Sequence, residues 1–179
     1  TILNEKISIR AILVDTNKVY FSGSLGKVGY VRFDSDIDPK ATRQIITNDT
    51  PQRECRSIAT NGEAIFTLSI GDSARLRIFS KDLLVRRTVY KEFGKKVFYD
   101  SMNFWNDMEG IAIGDPTEDC LSVLITRDGG TSWKKTNCDN LPKVAEGEAA
   151  FAASNTNICI RGNTTWVVSG GIQSRVFYS

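Results

Sequence analysis

The stretch at residues 122–133 constrains the fold more than any other part of the chain. Its sequence is SVLITRDGGTSW, in which a β-branched run reaches a polar turn with two glycines and leaves through a tryptophan. Thr126 and Asp128 can hydrogen-bond to backbone groups of the turn, and the glycines can adopt positive φ. The tryptophan can pack the hairpin onto what lies beneath it. The pattern therefore predicts a β-hairpin whose turn has a mainly structural role.

Similar strand patterns recur along the chain in four units, at about residues 1–50, 51–94, 95–145 and 146–179. Each unit has an opening strand, a second strand ending in glycine, a third strand and a turn. The marker glycines are Gly23, Gly71, Gly114 and Gly170. Their spacing is typical of four-stranded propeller blades with variable loops. We predict an all-β fold with almost no helix: a single partial β-propeller domain of about four antiparallel blades.

Two details of the repeats qualify this prediction. The turns at residues 34–36 and 80–82 keep an aspartate without the glycine or tryptophan, so they are degenerate versions of the third-unit turn. The fourth unit, with strands expected at 148–153, 165–171 and 174–179, lacks a turn and an outer strand. An open arc leaves unpaired faces. We expect part of a ring of about seven blades, completed by the rest of a longer chain or by a second copy.

Composition excludes several kinds of site. With 23 basic and 21 acidic residues the net charge is +2, which gives no field to attract nucleic acid. No apolar window is long enough to predict a membrane span. The chain has no histidine and its four cysteines lack CxxC spacing, so neither a zinc site nor a Ser-His-Asp set is expected. No metal and no cofactor are predicted.

Two of the cysteines are placed symmetrically about the predicted hairpin. Cys120 and Cys138 each lie nine residues from Gly129. A hairpin folded about that glycine brings them opposite each other, where a disulfide can form. The alternative is two separate thiols in a reducing compartment.

The turn also carries a recognisable motif. Thr126, Asp128, Gly130 and Trp133 match Ser/Thr-x-Asp-x-Gly-x-x-Trp and resemble the Asp-box, or BNR, motif. In proteins that carry it, this motif joins the outer two strands of a propeller blade, far from any catalytic centre. The resemblance therefore implies a structural role for these four residues.

Residues 98–175 extend the likeness through runs such as GEAAFAAS at 147–154. The chain resembles bacterial propellers related to the photosystem II stability/assembly factors, whose relatives are often labelled oxidoreductases. The resemblance implies a seven-bladed ring, export to the periplasm or medium, and a role in binding a partner protein.

Charged residues recur at matching places in the repeats. Arg10, Arg56, Asp100 and Glu148 lie in the opening strands, which approach the axis of a propeller. We predict that they form a mixed-charge ring for a polar partner or ligand; the alternative is that they neutralise each other around channel water. Three further residues follow the marker glycines and are candidates for the same rim: Asp72, Asp115 and Arg175.

Two enzymatic hypotheses remain as alternatives. Sialidases also carry Asp-boxes and use an arginine triad with a tyrosine nucleophile and a glutamate. Residues of those types are Arg10, Arg56, Arg175, Tyr99 and Glu148.

An oxidoreductase would need a cofactor motif, but the glycines at 23–29 are spaced GxxGxxG between two strands. We therefore predict a non-catalytic binding or scaffolding protein that recognises a protein partner, with a glycan as the alternative ligand.

Overall fold

The computed structural model describes residues 6–33, 43–47, 52–151 and 155–179, and its regular structure is almost entirely β. The first sheet contains β1 (Ile9–Asp15), β2 (Lys18–Gly23), β3 (Lys27–Arg32) and β4 (Arg43–Thr47). The second contains β5 (Cys55–Thr60), β6 (Ala64–Ser69), β7 (Ala74–Ser80) and β8 (Arg86–Glu92). The third contains β9 (Tyr99–Phe104), β10 (Gly110–Gly114), β11 (Ser122–Thr126) and β12 (Lys134–Lys135). Each is antiparallel, with its strands in chain order.

The fourth unit forms a smaller assembly. A three-stranded sheet contains β14 (Ile158–Arg161), β15 (Thr164–Val168) and β17 (Val176–Tyr178). Beside it, β13 (Glu148–Ala149) pairs with β16 (Gly170–Gly171). Two short 3-10 turns complete the elements, at Ser24–Gly26 and Cys138–Asn140.

Neighbouring sheets pack face to face around their inner strands, β1 against β5, β5 against β9, and β9 against β14. Each junction encloses its own apolar core. Consecutive residues of β6 show how this arises: Ile65 faces the first sheet, whereas Phe66 faces the third. Because successive side chains of β6 point to opposite faces of the sheet, this strand contributes to two cores, and it is apolar along most of its length. The architecture is a partial β-propeller of about four blades, which confirms the predicted fold class.

The turn at 126–133 forms the predicted hairpin. The Thr126 hydroxyl donates to Asp128 Oδ1 over 2.9 Å and accepts from Gly130 N–H over 3.0 Å. Gly130 has a φ of +80°, and a Cβ there would lie 2.3 Å from the Phe66 ring. Trp133 is 5% exposed and fills the junction between the second and third sheets. The turn therefore joins two strands and also two blades.

The degenerate turn at 80–82 is held by a related pair of hydrogen bonds. The Ser80 hydroxyl donates to Asp82 Oδ1 over 2.5 Å and accepts from Val85 N–H over 3.0 Å. Leu83 follows at a φ of +62° and is buried between the first and second sheets. An aliphatic side chain thus takes the space that a tryptophan takes one blade later. The other degenerate turn, at 34–36, lies outside the described residues.

The fourth unit departs from the prediction. Only Glu148–Ala149 of the expected strand at 148–153 is paired, and residues 152–154 lie outside the described chain. The sheet instead uses β14, which the sequence analysis missed. Between β13 and β14, Asn155 has a φ of +60°, a conformation that asparagine tolerates better than most residues and that interrupts a strand. The glycine at position 162 between β14 and β15 was the signal for a hairpin there.

The structure joins Cys120 and Cys138 in a disulfide, with a Cα–Cα distance of 5.6 Å. The register of β11 and β12 pairs Leu124 with Lys135, so the hairpin is nearly symmetric about Gly129, as the spacing of the cysteines predicts. Within the described residues, no helix has both the length and the apolar character needed to cross a membrane.

Candidate partner-binding site

The inner strands of the first three blades carry a β-bulge at the same register. In each, one residue is inserted between two paired positions: Arg10 in β1, Arg56 in β5 and Asp100 in β9. A bulge leaves its extra residue outside the ladder and re-aims the side chain. In the first blade the bulge lies at the start of β1, which is opposite the end of β2, because Ile9 pairs with Gly23. We call this end of the blades the bulge end, and the opposite end, with the 126–133 turn, the hairpin end.

Two of the bulge residues meet at one carboxylate. Glu54 Oε1 lies 2.6 Å from Arg56 Nε and 3.2 Å from Arg10 Nε, so it joins the first and second blades. The Arg56 guanidinium also lies over the Phe98 ring, 5.3 Å from its centroid. The side chains are 40% exposed for Arg10, 24% for Arg56 and 22% for Glu54. A partner can therefore reach charges of both signs here.

Glu54 was absent from the sequence-based candidates. It lies two residues before Arg56, and side chains two apart on an extended strand share a face. That spacing was the signal that could have identified it.

The third bulge residue is buried. Asp100 has no exposed surface, and neither carboxylate oxygen has a hydrogen-bond partner in the described part of the chain. Burial, with the negative charge of Asp115 adding to it, raises the pKa of Asp100 to about 8, although Arg56 opposes the shift. At neutral pH this carboxyl is therefore mainly protonated. Residues 6–33, 43–47, 52–151 and 155–179 gather no group of three or more potential metal ligands.

Asp100 makes folding depend on pH in an unusual direction. The unfolded chain releases this proton near the ordinary value of 3.8, whereas the folded protein holds it up to about 8. Stability is therefore expected to fall as pH rises from about 4 to about 8 and then to level off. Asp100→Asn should remove this part of the dependence, as measured by urea midpoints at pH 5, 7 and 9. Asp107→Asn, the same change at an exposed position, is the control; equal profiles for the two variants would contradict the assignment.

Glu148 does not share the place of Arg10, Arg56 and Asp100 in the repeat. It pairs with Gly171 of β16. In the other blades, the residue with the corresponding partner is the one just before the bulge. Its side chain has no exposed surface and is held by Arg175, with Arg175 Nη2 to Glu148 Oε2 at 2.6 Å and Nε to Oε1 at 3.0 Å. These hydrogen bonds lower its pKa to about 2. The expected equivalence is therefore wrong for Glu148, because one register shift turns the side chain inward.

The two remaining aspartates hold loops at the bulge end. Asp72 Oδ1 accepts from Gly94 N–H over 3.0 Å, and Asp115 Oδ1 accepts from Ala150 N–H over 2.9 Å. The second contact ties the third blade to the fourth. Both aspartates thus have structural partners, as does Arg175.

Asn155 is a further residue that the sequence analysis missed. Its side chain donates to Ile58 O over 2.8 Å and accepts from the Ser57 hydroxyl over 2.6 Å and from Met102 N–H over 3.2 Å. One amide thus connects the fourth unit to the inner strands of the second and third. Nothing in its local sequence indicates these contacts.

The residue types of a sialidase centre do not come together. The Tyr99 hydroxyl donates to Glu92 Oε2 over 2.5 Å within the junction of the second and third blades, and burial raises its pKa. Glu148 is bound to Arg175, whereas the arginines of the first two blades meet at Glu54. The five residues named for that hypothesis thus belong to three separate clusters.

Comparison with known proteins supports the assignment of the fold. No protein-family model matches the chain, and no curated protein matches it. The solved structure of the RRP9 WD40 repeats is similar, with a TM-score of 0.60 and 12% identity over 98% of this chain and 52% of that one. U3-55K is similar to the same degree, with a TM-score of 0.60 and 12% identity over 98% of this chain and 53% of that one. YCF48 from Cyanidioschyzon merolae has a TM-score of 0.55 and 15% identity over 94% of this chain and 50% of that one. The chain spans about half the length of each, and likeness at this identity shows the propeller fold.

Proposed function

We propose that this protein is a non-catalytic scaffold that binds a protein partner through the bulge end of its blades. The observation that supports this most directly is the pairing of Arg10 and Arg56 with Glu54, since it presents fixed, partly exposed charges of both signs from two blades. The partner that fits is a polypeptide segment carrying both acidic and basic groups. Such a contact contributes more to specificity and association rate than to affinity.

The buried Asp100 affects the charge balance of this site without adding an exposed charge. Because it is mainly protonated at neutral pH, it leaves the Arg56 charge less compensated than an ionised carboxylate would. The bulge end is therefore expected to favour acidic over basic groups next to Arg56.

The compartment is a second part of the proposal. We propose an extracytoplasmic location, and the Cys120–Cys138 disulfide supports it because disulfides persist mainly in oxidising compartments. The other two cysteines, Cys55 and Cys159, take no part in this disulfide.

The test uses the full chain as an immobilised bait in an extract of the source organism. The double variant Arg10→Ala/Arg56→Ala is expected to lose the captured partner. Arg127→Ala/Lys134→Ala removes the same charge from exposed positions at the hairpin end and should retain it. Capture should also weaken as salt rises, because exposed charges are screened.

Equal capture by both double variants would contradict a partner site at the bulge end. In parallel, the purified chain is expected to turn over neither sialosides nor nicotinamide cofactors. Reproducible turnover that is lost in Arg56→Ala would replace the scaffold with an enzyme.

A further inference from the structure

The outer strand of the second blade, β8, has an edge that is long and basic. It runs for seven residues, whereas the outer strands β4 and β12 of the neighbouring blades have five and two. Residues 86–96 contain five basic residues and one acidic residue, in a chain whose net charge is only +2. β8 ends its sheet, and the described part of the chain pairs no strand with its outer side. The edge therefore presents backbone groups and positive charge together.

The one acidic residue of this stretch, Glu92, is engaged inside the junction with the third blade. Its Oε2 accepts from the hydroxyls of Tyr90 and Tyr99 over 2.7 Å and 2.5 Å. Its Oε1 lies 2.6 Å from Lys135 Nζ. The negative charge of Glu92 is thus balanced by a lysine of the next blade, and the basic residues of the edge do not share it.

Basic side chains along this edge differ from exposed ones elsewhere in having no acidic partner. Arg127 and Lys143 are exposed, and each is paired with a carboxylate. Four exposed residues in and after β8 form no ion pair with any residue that the structure describes: Arg87, Lys91, Lys95 and Lys96. Their charges are therefore available to an acidic ligand.

Exposed apolar side chains lie at both ends of the same edge. Leu84 and Val85, just before β8, are 73% and 69% exposed, and Phe93, just after it, is 69% exposed. Lys91 Nζ lies 4.3 Å from the centroid of the Phe93 ring, so the cation and the ring form one surface. Strand addition to a sheet edge combines backbone pairing with contacts to alternate side chains. Apolar ends on a basic edge thus favour a polypeptide over a nucleic acid as the ligand.

The edge is also protected against pairing with a second copy of itself. Val89 forms a bulge, because Leu76 pairs with Tyr90 and Arg77 with Thr88. Bulges and basic residues on edge strands discourage association of identical strands, since like charges placed opposite each other repel. A strand that carries acidic residues would instead be attracted by the same charges. The edge therefore selects its ligand by the sign of the charge.

We propose that the outer edge of β8 binds an acidic, extended segment of a partner polypeptide. Carboxylates of the segment pair with Arg87 and Lys91, and its apolar side chains contact Val85 and Phe93. At about 3.3 Å per residue, an extended segment of about nine residues reaches from Val85 to Phe93. This surface is separate from the cluster of Arg10, Arg56 and Glu54 at the bulge end.

The test measures binding of fluorescent peptides to the full chain by anisotropy. The peptide EVEVEVE is expected to bind saturably and at least about tenfold more tightly than the neutral peptide QVQVQVQ. The peptide EPEPEPE has the same acidic side chains, but proline cannot donate to a ladder, so it should also bind at least about tenfold more weakly. Binding of EVEVEVE should weaken as salt rises, and it should slow amide hydrogen exchange within residues 86–93.

Variants of the chain locate the site. Arg87→Glu/Lys91→Glu is expected to weaken EVEVEVE binding at least about tenfold. Lys6→Glu/Arg161→Glu makes the same charge change at exposed positions elsewhere and should bind as the unmodified chain does. Urea midpoints close to that of the unmodified chain are expected for both, because exposed substitutions rarely disturb the fold.

The same measurements separate this proposal from the bulge-end site and name the results that would overturn it. Arg10→Ala/Arg56→Ala should bind EVEVEVE unchanged, so a failure of either site leaves the other standing. Equal affinity of the two charge-reversed variants would refute the β8 site, as would equal affinity for EVEVEVE and EPEPEPE. Binding of a thymidine oligonucleotide as tightly as EVEVEVE would show a nucleic acid, and not a polypeptide, to be the ligand.

Discussion

Replacing Trp133 with alanine is expected to lower the free energy of unfolding by about 3–5 kcal/mol, the range for removing a buried aromatic side chain. Trp133 is 5% exposed, and its ring meets Phe104 edge-on at 5.7 Å and Phe66 at 6.4 Å between centroids. Removing it empties the junction of the second and third blades. The measurement is the urea midpoint at constant m-value, followed by circular dichroism.

Two variants make this test specific. Trp133→Phe keeps an aromatic ring and removes an indole N–H that has no hydrogen-bond partner in the described structure, so it should cost less than half as much. Trp166→Ala makes the same deletion at a half-buried position of β15. Equal losses for Trp133→Ala and Trp166→Ala would show that the hairpin tryptophan is not the main contact between those blades.

The second large effect concerns the ion pair of the fourth unit. Arg175→Ala leaves the Glu148 carboxylate, which has no exposed surface, without its counter-charge. Removing one member of a close ion pair leaves the other charge without its partner and destabilises the folded state. Urea unfolding at pH 7 should therefore show a large loss. Arg127→Ala breaks an exposed pair with Glu109 and should leave the midpoint close to that of the unmodified chain.

Acid provides an independent check of the same pair. The folded pKa of Glu148, about 2, lies below the ordinary value of 4.5. Its contribution is therefore present above about pH 4.5 and is lost as pH falls through 2. Glu148→Gln should lack this part of the acid sensitivity while keeping the shape of the side chain. A Glu148→Gln profile that parallels the unmodified chain between pH 5 and 2 would refute the assignment.

The first prediction concerns a junction between blades and the second an ion pair within the fourth unit, and the sequence indicated only the first. The turn at 126–133 is a local pattern whose glycines and tryptophan sit at fixed offsets, so its hairpin was predictable. The Glu148–Arg175 pair spans 27 residues, and it depends on a register shift that no local pattern reveals. The missed strand β14 has the same cause, because the interruption at Asn155 is stabilised by contacts with Ser57 and Met102 in other blades.

The candidate site, too, was predicted only in part from the sequence. Recurrence in the repeats identified Arg10, Arg56 and Asp100, and the structure places all three in matching bulges. Their chemistry differs because their surroundings differ. Two meet Glu54 near solvent, whereas Asp100 is fully buried beside the charge of Asp115.

The sequence by itself determined the all-β class, the repeat of similar sheets and the tryptophan-anchored hairpin, because these follow from side-chain periodicity and turn chemistry over a few neighbouring residues. Only the tertiary structure decided which charges are exposed and which are buried in pairs. Those properties depend on the packing of one blade against the next, and that packing brings together residues far apart in the chain.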